Sequence, residues 1–486
     1  MATAVHSDLR ADSTPLSREP VPRLLRPLIL IFLLISTLSC QVVMRAFEGI
    51  PSGPPPSLTS PAFTETLEGR PTPTTTEPAT PTATVTPLPS PTLTRTATPT
   101  AVITPSPRQL SIFRELWQIV KDSYLYADFN GLDWDAIFDE YRQGIESGMS
   151  DDDFYLAMDE MIFRLGDEHS VFLSPQEVLR EEAEFAGNND YVGIGALIIA
   201  VPERDRAAIL ITFPGSPAEQ AGLKSHDSIL AVDGEPILDE NGFLRDVVRG
   251  PQGSQITLTV QTPGQEPRQE TLFRRQINGP VPVPYRLLDS PGGKRIGYIL
   301  LVTFNDSTID DQVEGALRTI TQNGELDGLI LDNRQNSGGA DTVLRGTLAY
   351  FTGGTLGLFI SRNDERPLEV KSYDVSGSQQ VPLVVLVGPG TASYGEVFSG
   401  ILKDQERAYL IGETTEGNVE TLWGYDFEDG SRAWLAHESF RPYHHPDEDW
   451  EVTGIVPHET VLTNWDEINS ENDPAVKAAL EHLDGG

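Results

Sequence analysis

The chain has a single cysteine, Cys40, in 486 residues. No internal disulfide can form, and a cysteine-based zinc cluster is excluded. Lysine is nearly as scarce, with six: Lys121, Lys224, Lys294, Lys371, Lys403 and Lys477. Positive charge as a whole is short, with 35 Lys and Arg against 72 Asp and Glu and a formal net charge of −37. So acidic a chain argues against nucleic acid or anionic lipid as a direct partner of its folded part. No repeat of 20 to 50 residues stands out, so a solenoid is not indicated. What remains is length enough for two or three domains, each with its own core.

The apolar run Leu28–Ile35 follows Arg23 and Arg26 and ends at Ser36-Thr-Leu-Ser-Cys40. That is the layout of a secretory signal leading to a lipid-modifiable cysteine, although Thr37 and Leu38 depart from the usual motif. An uncleaved membrane helix from Leu28 to Met44 is the alternative. Either way the arginines predict an inside N-terminus and export of the rest. Residues 1–50 are therefore expected to anchor an extracytoplasmic protein to the cell membrane. Residues 51–107, almost all Pro, Thr, Ser and Ala, are expected to form an extended stalk with too little apolar mass to fold.

Helical spacing begins with Leu110, Phe113, Leu116, Trp117 and Val120, and a second helix is expected after Asp133. A third starts after Ser150, with Asp153 three residues on, and stops near Gly166. His169 and Ser170 follow on the loop leaving that helix. This lead-in spans 108–185. Alone, a histidine there reads as a polar turn residue.

Over 186–278 the order is a glycine-punctuated turn, strands, and a short helix opened by Ser216-Pro-Ala. Ala221-Gly-Leu, a strand closing on Asp233-Gly234, a helix around Phe243, Leu244, Val247 and Val248, and the strand Gln255–Gln261 complete it. This resembles a bacterial PDZ domain. The turn Val192, Gly193, Ile194 and Gly195 offers backbone N–H groups to a terminal carboxylate, and an open strand edge takes a peptide as an added strand. A sandwich of strands with no ligand is the bland alternative.

Residues 279–486 read as an α/β core. The strand Gly328–Leu331 runs into Asp332-Asn-Arg-Gln-Asn-Ser-Gly338-Gly339, where paired glycines expose backbone N–H groups. The buried strand Leu383–Val387 leads through Gly388-Pro-Gly-Thr-Ala to Ser393 and then to helical spacing at Val397, Phe398, Ile401 and Leu402. A serine at such a turn either caps the helix or presents its hydroxyl beside donors that suit an oxyanion.

In order, Gly166-Asp-Glu-His-Ser170, the PDZ-like segment, Leu329 to Gly339, Thr391-Ala-Ser-Tyr-Gly-Glu396, Ile411 to Gly417 and Gly454-Ile-Val-Pro457 resemble the C-terminal-processing serine peptidase family. The resemblance covers 108–486. It implies a crotonase/ClpP-like β-α core with the PDZ inserted after a helical lead-in, Ser393 as nucleophile, and an oxyanion hole from Gly338 or Gly339 with Tyr394. In the family's main branch a lysine stands where this chain has Asn418, which cannot act as a base. Lys403 lies on the helix after Ser393 in a charged segment. A second branch, resembling the tricorn core protease and a chlamydial secreted protease, uses a histidine base oriented by a glutamate. His169 and Glu451 occupy those places, with Ser170 bonding within the site.

Glu396 reads as a complement to the helix start, and the His444–Asp449 loop as a solvated acidic segment rather than a metal site. Neither metal nor cofactor is expected. The resulting expectation is an exported, tethered serine endopeptidase acting on polypeptides with free C-termini. The rival is a peptidase-like scaffold that binds such ends without cleaving them.

Overall fold

The computed structural model describes residues 104–485 except Glu168. The expected anchor, Cys40 and nearly all of the stalk lie outside the described residues. No helix among the described residues is long and apolar enough to cross a membrane.

Three helices open the fold: α1 (Pro107–Ser123), α2 (Trp134–Glu146) and α3 (Asp151–Phe163). Their N-caps are the polar residues expected to hold exposed helix N–H groups. Asp133 accepts from Ala136 N–H, and Ser150 from Asp153 N–H. Their apolar faces, including Phe113, Leu116, Trp134, Met158 and Ile162, close on one cluster with Phe427, Ala433, Leu435 and Ala436. The lead-in is thus packed on a strand more than 250 residues later in the chain.

A short strand, β1 (Val171–Leu173), and helix α4 (Pro175–Phe185) lead to the PDZ-like unit. There β2 (Tyr191–Gly193) pairs with Arg275–Ile277, and β3 (Ala196–Val201) forms one edge of a separate sheet. The next strand, β4 (Arg206–Thr212), sends side chains alternately to two cores as far as Leu210, where the pairing with β3 shifts register. Ala207 and Ile209 enter the PDZ core, while Ala208, Leu210 and Ile211 join the peptidase side.

The helix expected over Phe243–Val248 is absent; the segment is irregular. Asp239 explains why. Its carboxylate takes the N–H groups of Asn241 and Phe243, and its carbonyl takes that of Gly242, whose φ is 84°. A tight turn wins over the helical spacing of the apolar residues that follow.

The core sheet has six strands. An antiparallel strand, β5 (Tyr285–Asp289), flanks the parallel β6 (Arg295–Leu300), β7 (Gly328–Asp332), β8 (Leu383–Val387), β9 (Tyr409–Gly412) and Glu459–Thr460. Both faces are covered, so the strands read as unbroken apolar runs. One face, with Leu329, Leu331, Val385 and Val387, meets α5 (Ile309–Ile320), α6 (Asp341–Ala349) and α7 (Tyr394–Asp404). The other, with Ile330, Val384 and Leu386, meets the C-terminal helix α8 (Pro474–Gly485) and the PDZ-like strand β4. Trp465 Nε1 donates to Ile209 O at 3.0 Å, and Arg204 bridges to Asp466 at 2.8 Å.

Candidate active site

Ser393 sits at the turn between β8 and α7 with φ 51° and ψ −129°. This backbone conformation is costly for an L-residue, by about 1–3 kcal/mol. The hydroxyl does not cap the helix. Among the described residues it makes no hydrogen bond at all, and the Tyr394 N–H beside it has no acceptor.

Two loops are knitted under this serine. Asn336 O accepts the Ala392 N–H at 3.0 Å, and Asn333 Nδ2 donates to Gly395 O at 2.8 Å. A Cβ added at Gly338 would stand 2.7 Å from Ser393 Cβ and 2.9 Å from Tyr394 N, so only glycine permits this approach. Gly338's own N–H is donated to Asn336 Oδ1 at 3.0 Å. Of the three expected oxyanion donors, Tyr394 and Gly339 are the ones with no acceptor among the described residues. The strand end that carries this loop is fixed by a buried ion cluster that the sequence did not disclose. Arg334 donates to Asp332 and, from 139 residues away, Asp473, each at 2.6 Å.

His169 is positioned by its own loop. Asp167 accepts the N–H groups of His169 and Ser170, and the Ser170 hydroxyl donates to it at 2.6 Å. Ser170 Oγ in turn accepts Ala436 N–H, where β1 pairs with the strand Arg432–Pro442. Ser170 therefore secures the loop.

The imidazole faces two carboxylates: Nε2 is 3.7 Å from Glu451 Oε1 and 3.8 Å from Glu420 Oε2. Burial pulls the histidine pKa down, but Glu451 and Glu420 outweigh it and the net shift is upward. Glu420 was missed by sequence reasoning. Its only local signal is a lone acid between Val419 and Thr421 at the start of a strand. Burial, then the Glu451 charge, pushes Glu420 up to about 7, although His169 and the Tyr126 hydroxyl that donates to it act the other way.

Residues 415–420 join these parts. The Glu396 carboxylate, fully buried, accepts the Thr415 hydroxyl and the N–H groups of Gly417 and Asn418. Burial nonetheless raises its pKa to about 7. Glu451 Oε2 accepts Val419 N–H at 2.7 Å. Asn418 O accepts the Ser393 N–H at 2.7 Å, and the same residue lines a cavity of 340 Å³ with His169, Glu420, Glu451 and Tyr126. Asn418 is thus the shared wall between serine turn and histidine cavity.

Lys403 lies nine residues beyond the first residue of α7, about 14 Å along the axis. Its ammonium donates to Val456 O at 2.8 Å. In the other expected loop, His445 Nδ1 is 2.8 Å from Asp404 Oδ1, at the end of the same helix.

In the PDZ-like unit, Val192 and Gly193 pair with Gln276 and Arg275. The N–H groups of Ile194 and Gly195 have no acceptor among the described residues. Gly195 has φ 74°, and a Cβ there would meet Ser216 Cβ at 2.4 Å.

Residues 295–461 match the model of peptidase family S41, 108–163 the tricorn protease C1 domain, and 214–262 a PDZ domain. A carboxyl-terminal-processing protease of Synechocystis sp. is 32% identical over 383 residues, covering 76% of this chain and 86% of that one. The chain belongs to peptidase family S41. A second relative, the carboxyl-terminal-processing protease of Picosynechococcus sp., is 30% identical over 76% of the peptidase and 88% of that protein. The solved photosystem II D1 C-terminal processing protease is 26% identical with a TM-score of 0.52, covering 76% of the peptidase and 96% of that structure. The chain is a serine peptidase with a helical lead-in, a PDZ domain and an α/β core.

Proposed function

We propose that the peptidase is an exported, membrane-tethered endopeptidase that takes polypeptides by their free C-termini and cleaves them with Ser393, His169 and Glu451. The observation that carries the catalytic part is the strained, uncapped Ser393 with an unengaged Tyr394 N–H next to it, bonded through its own N–H to Asn418, which also lines the His169 cavity. With Nε2 turned to the carboxylates, Nδ1 is the nitrogen left for the serine proton.

In this reading His169 removes that proton as Ser393 Oγ bonds to the peptide carbonyl carbon. The oxyanion is held by the Tyr394 and Gly339 N–H groups, the two that have no acceptor among the described residues. His169 then passes the proton to the departing amine as the C–N bond breaks. Water, deprotonated by the same imidazole, releases the acyl group. Glu451, 3.7 Å from Nε2, balances the imidazolium by its charge.

Support for tail recognition is the pair of N–H groups at Ile194 and Gly195 with no acceptor among the described residues, beside the edge strand β3. A carboxylate accepts both while its chain adds to that edge. Support for export and tethering is the arginine-flanked apolar run ending at Cys40. Covalent labelling by a fluorophosphonate probe tests the nucleophile. Labelling of the wild type and not of Ser393→Ala is expected, and a folded wild type that does not label overturns the assignment.

A further inference from the structure

We propose that His169, Glu420 and Glu451 bind a zinc-class divalent cation, which silences the peptidase by occupying its base. The inference rests on the reading of His169 as that base. His169 Nε2, Glu420 and Glu451 each offer one ligand atom, all within 4.8 Å of one another. Among the described residues this is the group so arranged; the His444–Asp449 loop is not.

Three observations point to a ligand. Glu420 Oε2 has no hydrogen-bond partner although its side chain is only 2% exposed. Asn418 Oδ1, on the same cavity, is buried and equally unpartnered. The separations from Nε2, 3.7 and 3.8 Å, are too long for hydrogen bonds. They are close to the ligand–ligand spacing of about 3.4 Å in a tetrahedral zinc site with bonds of about 2.0–2.2 Å. One imidazole and two carboxylates suit zinc or cobalt better than calcium or magnesium, which favour all-oxygen sets. The cavity leaves room for water in a remaining position.

The chemistry then follows from the imidazole. A neutral ring bound to a metal through Nε2 carries its proton on Nδ1. It has no lone pair left for the Ser393 hydroxyl. Binding needs no new bond elsewhere and is reversed by a chelator.

The test uses the full-length protein, stripped of metal by chelation, with Co²⁺ and Zn²⁺ as the probes. One equivalent of Co²⁺ should give ligand-field absorption in the visible range, which Zn²⁺ displaces. Zn²⁺ should abolish peptide cleavage, and EDTA should restore it. Glu420→Gln and Glu451→Gln should each weaken Co²⁺ binding at least about tenfold, while Ser393→Ala should keep the full spectrum. No absorption from a wild type that still cleaves peptide overturns the cation site and leaves the peptidase reading standing. Unchanged Co²⁺ affinity in both glutamine variants overturns it too. Absorption that both glutamine variants weaken, in a metal-free wild type that neither cleaves nor labels, upholds the site and overturns the catalytic reading.

Discussion

Glu420 and Glu451 approach the same nitrogen of His169, at 3.8 and 3.7 Å. An imidazole between two carboxylates holds its proton more tightly than a free one, and burial does not cancel this. A base must be neutral to act, so a raised pKa moves the acidic limb of activity upward. In metal-free buffer kcat/KM should rise with pH through a midpoint above the ordinary 6.5. Glu451→Gln and Glu420→Gln should each shift the midpoint down, and Glu451→Gln should also lower the plateau. His169 and Glu420 each shift the other, so the limb belongs to the pair. A limb that stays put in both variants would remove the carboxylates from the base's surroundings.

Replacing Lys403 by alanine should leave kcat/KM within about tenfold, because the lysine lies at the far end of α7 and, among the described residues, bonds only to Val456 O. His169→Ala should lower it by several orders of magnitude. An inactive but folded Lys403→Ala protein would point instead to a lysine base.

Glu396 should matter to stability more than to charge. Glu396→Ala leaves one hydroxyl and two N–H donors, buried or half-buried, without an acceptor, at a cost on the order of 3 kcal/mol. Urea unfolding measures it. The wild-type carboxyl, raised from 4.5 to about 7, binds its proton more tightly folded than unfolded. Its contribution is therefore full below pH 4.5 and is lost as pH rises to about 7. Glu396→Gln should flatten stability across that window; a slope identical to the wild type would refute the shift.

A peptide with a free apolar C-terminus should be cleaved faster than its amidated form. The difference should sit in KM if the PDZ domain only captures the tail. Gly195→Val, which forces a side chain into Ser216 at a φ of 74°, should erase the preference. Equal rates for the two peptides in the wild type would end the tail-reading role.

What was legible in the sequence was local. Ser393 and its strand–turn–helix, the caps Asp133 and Ser150, and His169 behind its aspartate each declare themselves within a few residues. Glu420 was not, because its surroundings come from Tyr126, 294 residues away, and from His169. The Arg334–Asp473 pair is hidden for the same reason. The absent helix at Phe243–Val248 failed differently. Its apolar spacing is helical, but a single aspartate, Asp239, captured the N–H groups such a helix would have begun with.

The strand Arg432–Pro442 holds the His169 loop, and Glu451 lies beyond it in the chain. During synthesis the histidine is made early, the serine more than 200 residues later, and the strand that fixes the histidine later still. If Ser393, His169 and Glu451 form the site, a nascent chain has no assembled site until Glu451 exists. In the proposed reading the peptidase is thus inert until Glu451 has been made, and any part of a membrane crossing completed before then would find it without a working edge.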